Sequence, residues 1–464
     1  MRTRAPRWFG IDLARHRWLF PLAGLLGSAI GGTTYALSVF VNPWEAEFGW
    51  GRAETLSSLA VIIFAHGAAV FLGGIAVDRW GPRPAMVAGG ALVVFGMWNA
   101  SRISTLSDLL IGFSLCFGLG IGLIYTATTI ALVARWYPDQ AKRGVAIGCS
   151  LVGFGMSAVV AAPLWTWGLE SIGWRATFQW SAILVAVIAI GLASLVRFPP
   201  VGWTWTEANG WHHARPDAAD RASVEQFSAG LTLAEALHNR HLWTLALLFL
   251  LCTSGGLLAI GQAAAWAENS KPSGLGVSAG TAAIVVGVLS LANGLGRPAF
   301  GLLSAHLGAR RSMVLAYTSL AGGLAAMAVV PVVWLAIPAV FIIGLSFGGA
   351  LSLNPVMAAS LFGVRSVGRI YGFLFFIGFG FGGLVGPLLG GVLYDRLNDY
   401  APVFVLAAAM SATAAVLARR LLPPPDTECQ YTPPSLNASS VSPSRASLAG
   451  AAHASRASIR HNVR

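Results

Sequence analysis

Two ionisable side chains, His66 and Arg297, stand well inside long apolar stretches of this sequence. If those stretches cross a bilayer, each charge costs about 2.5–3.5 kcal/mol to bury, so both residues are functional candidates. Arg297 lies in LANGLGRPAFG (291–301). A guanidinium offers a planar fork that can hold both oxygens of a carboxylate. Ser290, Asn293, Arg297, Gly301 and Ser304 recur at three- and four-residue spacing, which gathers them on one helix face suited to a protein interior or an aqueous cavity. No acidic residue lies well inside the stretches, since Asp78 and Asp395 fall at their ends. That pattern favours an anion site and argues against a cation site. The alternatives for Arg297 are a structural ion pair, a helix cap, or snorkelling from about six residues, roughly 9 Å, inside the nearer end.

His66 has two readings as well: a donor or proton-titrating group at a ligand, or a histidine bonded to a backbone carbonyl between helices. Gly31, Tyr35, Ser38 and Asn42 share one helical face, and Gly118, Gly122, Tyr125 and Thr129 share another. Tyr35 and Tyr125 would wall a cavity and offer hydroxyls to a carboxylate, or else pack and bond between helices. Asn354, beside Pro355, is a further candidate. GLGIG (118–122) is no nucleotide loop, because no strand precedes it. No spacing of ligands suggests a metal or a catalytic constellation, so neither a cofactor nor an enzyme is expected.

The elements that must position these residues follow from hydropathy. Of 464 residues, 56% are hydrophobic and 10% charged, whereas soluble domains carry roughly a quarter charged residues. Apolar runs fall at about 18–42, 55–77, 84–101, 108–134, 144–168 and 174–196, then at about 242–266, 279–304, 312–332, 334–360, 368–393 and 401–422. Each approaches or exceeds the roughly 20 residues that span a bilayer as a helix. The expected fold is an all-α membrane protein of twelve transmembrane helices in two six-helix bundles, 18–196 and 241–422. A basic N-terminus (1–17), a central loop (197–240) and a disordered Pro/Ser/Arg-rich tail (423–464) complete the domain plan. No A-x-A-type cleavage site follows the first run, which reads as a retained helix. The four cysteines have no disulfide or metal pattern.

Basic residues collect in alternate connections: Arg15 and Arg17, Arg79 and Arg83, Lys142 and Arg143, Arg197 and Arg240, Arg310 and Arg311, Arg365 and Arg369, Arg419 and Arg420. By the positive-inside rule these connections and both termini are cytoplasmic. The net charge of +12 is then a topology signal, with no nucleic-acid partner implied. The halves also repeat. GGIAVDRWGPRP (73–84) aligns with FGLLSAHLGARR (300–311) at an offset of 227, which also places His66 on Asn293. Gly144, Gly148 and Pro163 fall on Gly368, Gly372 and Pro387 at an offset of 224. Such repeats build two bundles that rock about a central site.

These residues resemble the major facilitator superfamily. Its loop signature G-x-L-a-D-R-x-G-R-[KR] is matched by Gly74, Asp78, Arg79, Gly81 and Arg83, with Pro82 in place of a basic residue. In the second copy Ala305 replaces the acid and His306 the arginine. YALSVFVNPWEAEFGWGRAE (35–54), RWYPDQAKRGVAIG (135–148), GWRATF (173–178), NGLGRP (293–298) and YGFLFFIGFGFGGLVGPLLGGVLYD (371–395) resemble the oxalate/formate antiporter branch and the related monocarboxylate transporters. The resemblance implies alternating access, with Asp78, Arg79, Arg83, Arg143 and Arg310 gating the cytoplasmic end, or else capping helices and fixing topology. It further implies a carboxylate on Arg297, with Tyr35, Tyr125, His66, Asn293 and Asn354 shaping the site.

The chain departs from that branch in two ways. The oxalate carriers' second basic residue in the eleventh helix is missing, since nothing basic lies between Arg369 and Arg396. The lysine that proton–monocarboxylate symporters often carry in the first helix is also absent. The expectation is a monomeric plasma-membrane carrier embedded in the lipid bilayer. It would move a small organic monoanion with a proton or against a counter-anion. An exporter of neutral or amphipathic compounds and a transporter-like sensor are the alternatives.

Overall fold

The computed structural model describes residues 7–9, 11–13, 15–137, 140–199, 203–206, 210–213, 231–329, 332–362 and 367–421. Most of the central loop and the tail from 422 onward therefore lie outside the described residues, as do the side chains of Asp78 and Arg143.

Among the described residues, nine helices are long and apolar enough to cross a membrane. One of them, Ala146–Leu195, bends at Gly173 (φ 79°), where only a residue without Cβ turns easily, and so serves as two spans. With Pro82–Ala100 and Ala309–Met327, of 19 residues each, the described residues hold twelve long helices. They are α1 Leu19–Phe48, α2 Arg52–Trp80, α3 Pro82–Ala100, α4 Asp108–Thr128, α5 140–172 and α6 174–195 in the first half. The second half holds α7 Arg240–Glu268, α8 Ala279–Leu307, α9 Ala309–Met327, α10 Val333–Phe362, α11 Arg369–Leu397 and α12 Ala401–Ala418. The small strands Trp203–Thr206 and Gly210–His213 pair as a hairpin in the central connection.

The internal repeat is visible in the backbone. Gly81 (φ 83°, ψ 173°) starts α3 and Gly308 (φ 80°, ψ 153°) starts α9, with the same unusual conformation at the offset seen in the sequence. The end of the molecule carrying these glycines is the basic end; the opposite end is here the far end. Space is open at both places, and it is the positive φ, strained for any residue with a Cβ, that explains the glycine.

Three of the helices are irregular, two of them near their middle and α4 at its start. In α1 residues Thr33–Phe40 tighten to a 3₁₀ helix, while Asp108–Leu115 of α4 and Phe375–Phe381 of α11 widen to π-helix. Such departures frequently mark hinges and functional sites, because they redirect side chains and free backbone groups.

The two halves meet chiefly along two helix pairs. In one, α5 meets α8: the Ser290 hydroxyl donates to the Gly155 carbonyl (2.6 Å) and accepts from the Ala158 N–H (3.1 Å). In the other, α2 meets α11, and a Cβ on Gly67 would lie 2.8 Å from Gly380 Cα. Toward the basic end α5 and α8 part. A Cβ on Gly148 or on Gly301 would meet nothing within 4 Å.

Candidate functional site

Arg297 lies on α8, ten residues before the helix ends at Leu307, farther in than the sequence suggests because the helix outlasts its apolar run. Its relative exposure is 8%, so it does not snorkel into lipid. Among the described residues no acidic side chain pairs with it, and its Nε has no hydrogen-bond partner. Its charge is instead felt at three tyrosine hydroxyls, Tyr35 of α1, Tyr125 of α4 and Tyr371 of α11. The guanidinium also lies over the Phe154 ring of α5, 5.7 Å from its centre. A cation over an aromatic face is worth roughly 0.5–2 kcal/mol, which falls short of a full counter-charge.

His66 of α2 completes the enclosure. It stacks on Phe154 (5.5 Å, 28°) and meets Tyr125, Phe375 and Phe379 edge-on at 5.5–5.7 Å. Both its ring nitrogens are buried without a partner, so the backbone-bonded alternative is not what the structure contains. Asn293, fully buried, likewise has neither side-chain atom bonded, and its Oδ1 faces Gly155. The Tyr35 hydroxyl is buried and unbonded too. Buried polar groups are paired in the great majority of native structures. Buried polar groups gathered round one guanidinium, with no protein partner of their own, are free to bond a small polar ligand.

Of the sequence candidates, the structure brings Arg297, Tyr35, Tyr125, His66 and Asn293 to one place between the halves. Asn354 belongs elsewhere: its amide donates to the Ala350 carbonyl of its own helix (2.8 Å) and it faces Tyr317 of α9. Sequence reasoning missed Phe154 and the row Tyr371, Phe375 and Phe379. The row's four-residue spacing was a usable signal, but the surrounding helix is too uniformly apolar to set it off.

At the basic end Arg83 donates to the Ser194 carbonyl (2.9 Å) and, through Nε, to that of Val196 (3.2 Å). It caps α6 within its own half. Arg79 is exposed and lies over Trp80, 5.8 Å from the ring centre, and Arg310 is half-buried.

The far end holds charges that the sequence reading assigned to loops. α1 continues to Phe48 and α7 to Glu268, so Glu45 and Glu268 stand on helices, and Arg52 opens α2 with a relative exposure of only 5%. Arg52 Nε is 2.7 Å from Glu45 Oε1, a close ion pair poorly aligned for a hydrogen bond.

Comparison with known proteins fits this architecture. The family model of the Major Facilitator Superfamily matches residues 23–377 and 272–448. The chain belongs to this superfamily. It is 27% identical over 418 residues to the oxalate:formate antiporter of Oxalobacter formigenes, covering 89% of this chain and 93% of that protein. It is 28% identical over 404 residues to monocarboxylate transporter 13 of Rattus norvegicus, covering 84% and 86%. Human monocarboxylate transporter 11 is 27% identical over 396 residues, covering 82% and 78%. Among solved structures, a point mutant of the nucleoside transporter NupG superposes with a TM-score of 0.62 at 13% identity, over 87% of this chain and 98% of that one. That likeness concerns the fold. Membership makes the chain an integral membrane transporter related to antiporters and monocarboxylate carriers.

Proposed function

We propose that this superfamily member moves a small organic monoanion by alternating access, with the carboxylate held by Arg297. The observation that carries the proposal is the buried guanidinium with no acidic partner, facing three tyrosines inside an aromatic enclosure. An incoming carboxylate supplies the missing charge and accepts from the guanidinium and the tyrosine hydroxyls together. His66 and Asn293 complete the polar surface. A single fixed cation suits a monoanion better than a small dianion, and no second basic residue stands on α11 between Arg369 and Arg396.

Carrier action follows from the same arrangement. The site lies where the two halves touch, so rocking one half on the other exposes it alternately to each end. The basic end faces the cytoplasm of the plasma membrane, with both termini there. Asp78, Arg79, Arg143 and Arg310 close that end when the far end opens, in a protein acting as a monomer. The bundles 18–196 and 241–422 are the rocking units.

Uptake of labelled monocarboxylates by proteoliposomes tests this reading, wild type against Arg297→Gln. Saturable uptake in the wild type that drops by two orders of magnitude in the variant is the expected result. The cost of removing one partner of a desolvated, hydrogen-bonded charge pair is about 2–5 kcal/mol. Equal saturable uptake by both proteins would sink the role given to Arg297. Binding of acids without counterflow would point to a sensor, and transport of neutral amphiphiles alone to an exporter.

A further inference from the structure

At the far end α1, α2, α7 and α11 meet in a polar cluster that joins the two halves. Asn42 of α1 is its bridge: its Oδ1 accepts from Arg52 Nη2 (3.2 Å) and its Nδ2 donates to Glu268 Oε2 of α7 (2.6 Å). Glu45 pairs with Arg52 from the other side. The guanidinium lies over the rings of Tyr394 (4.8 Å) and Tyr400 (6.0 Å). Asp395 stands on the exposed rim, where its two oxygens accept from the N–H groups of Arg52 and Ala53, both at 2.8 Å. It caps the start of α2 and is thereby satisfied by the helix end.

The charges inside the cluster do not balance. Two half-buried carboxylates, Glu45 in direct contact and Glu268 through Asn42, face one buried guanidinium. Asp395 and Glu170 add negative field at Glu45 and Glu268 respectively. Glu47, close by in sequence, is neutralised separately by Arg175 (2.6 Å). Tyr394 and Tyr400 bring no formal charge at neutral pH. Meanwhile Arg52 Nη1 is buried without any partner, so the single cation is not fully used by the acids around it. Enclosing an unpaired carboxylate is strongly disfavoured, and neutralising it by protonation is the usual escape.

We propose that Glu45 and Glu268 form a proton-binding site that couples opening and closing of the far end to pH. When the far end opens, the halves part, Asn42 loses Glu268, and both carboxylates return to water and ionise. Closing encloses them around Arg52 and takes up one proton, carried by one of the two. Protonation from the far side therefore favours the closed far end, and alkaline conditions favour the open one. The proposal rests on the alternating-access part of the reading above and is independent of the substrate.

The test needs no substrate. Spin labels are placed at Arg102→Cys and Leu397→Cys, exposed far-end positions on opposite halves. The other cysteines are replaced by Ser, and the protein is held in lipid nanodiscs between about pH 5 and pH 8, a window that brackets the upward shift that burial gives a carboxylate. In the wild type the short-distance, closed population falls as pH rises. The closed-to-open ratio changes by up to about tenfold per pH unit, the slope of one linked proton. Glu45→Gln/Glu268→Gln stays closed throughout, Asp395→Asn shifts toward open yet keeps the pH response, and Arg297→Gln keeps it unchanged. A wild-type distribution that ignores pH overturns the proposal, whether or not the double variant folds. So does a double variant that follows pH as the wild type does. Because Arg297→Gln leaves Glu45 and Glu268 in place, the pH response and the carboxylate site fail separately.

Discussion

Gly155→Ala isolates the contact on which the closed far end turns. A Cβ there would lie 2.6 Å from both Cα and N of Gly294 and 2.7 Å from Asn293 Oδ1. Two of the three atoms are backbone, so no rotamer change relieves the overlap, and α5 must retreat from α8 by about 1 Å to reach ordinary contact. Overpacking of this kind costs about 1–3 kcal/mol. The retreat also stretches the Ser290 bonds to Gly155 and Ala158, each worth about 1 kcal/mol, although helix partners on α5 recover part of that loss. Opening the far end separates α5 from α8 and removes the clash, so the penalty falls on the closed state. At 1.4 kcal/mol per factor of ten, the closed-to-open ratio drops about 5- to 150-fold. The spin-label pair at positions 102 and 397 reads this at constant pH as a gain in the long-distance population. Gly148→Ala and Gly301→Ala are controls on the same two helices, where a Cβ meets nothing within 4 Å, and neither should open the far end. A Gly155→Ala distribution that matches the wild type would refute the reasoning, since the tightest approach of α5 to α8 would then not report the state.

Two further expectations separate binding from scaffolding. Phe154→Leu keeps the apolar volume roughly intact but loses the face under Arg297 and the stack on His66. With about 0.5–2 kcal/mol at stake, monocarboxylate affinity in a ligand-induced thermal-shift titration should weaken about 2- to 30-fold, with the unliganded melting temperature nearly unchanged. Arg83→Ala removes the cap on α6 and should cost about 0.5–1.5 kcal/mol of stability. The transport rate per folded molecule should hold, and a rate loss well beyond the stability loss would make Arg83 a gating residue.

The gathering of residues around Arg297 was legible for a specific reason. In a chain where the spans are nearly free of charge, one arginine and one histidine stand out, and helical spacing supplies the faces for Tyr35 and Tyr125. The same background hid the aromatic row on α11, where Tyr371, Phe375 and Phe379 sit among Phe and Gly with no contrasting face. The far-end cluster was hidden differently. Hydropathy falls off before the helices do, so Glu45, Arg52 and Glu268 read as loop residues although α1, α2 and α7 carry them. Asn354 misled because an asparagine deep in an apolar helix suggests a ligand, and its own helix's Ala350 carbonyl takes its amide instead.

The two arginines of the interior are deficient in opposite senses, and the deficits are complementary. Arg297 holds one positive charge with no acid facing it, so a bound carboxylate makes that site neutral. Arg52 faces Glu45 and Glu268, one negative charge in excess, so a bound proton makes that cluster neutral. Enclosing either group alone leaves a charge in a medium of low dielectric, where it is expensive. Enclosing an anion at the first and a proton at the second leaves none. A carrier built this way closes its far end most readily when both are aboard. The proton is taken up from the far side and returned there when that end reopens, so it sets how readily the gate closes and does not cross with the anion. Anion and proton then favour the same closed state, and each tightens the binding of the other. Monocarboxylate affinity that rises as the far side is acidified, and that loses this response in Glu45→Gln/Glu268→Gln, is the signature of the coupling. Affinity indifferent to pH would break the link between the two sites.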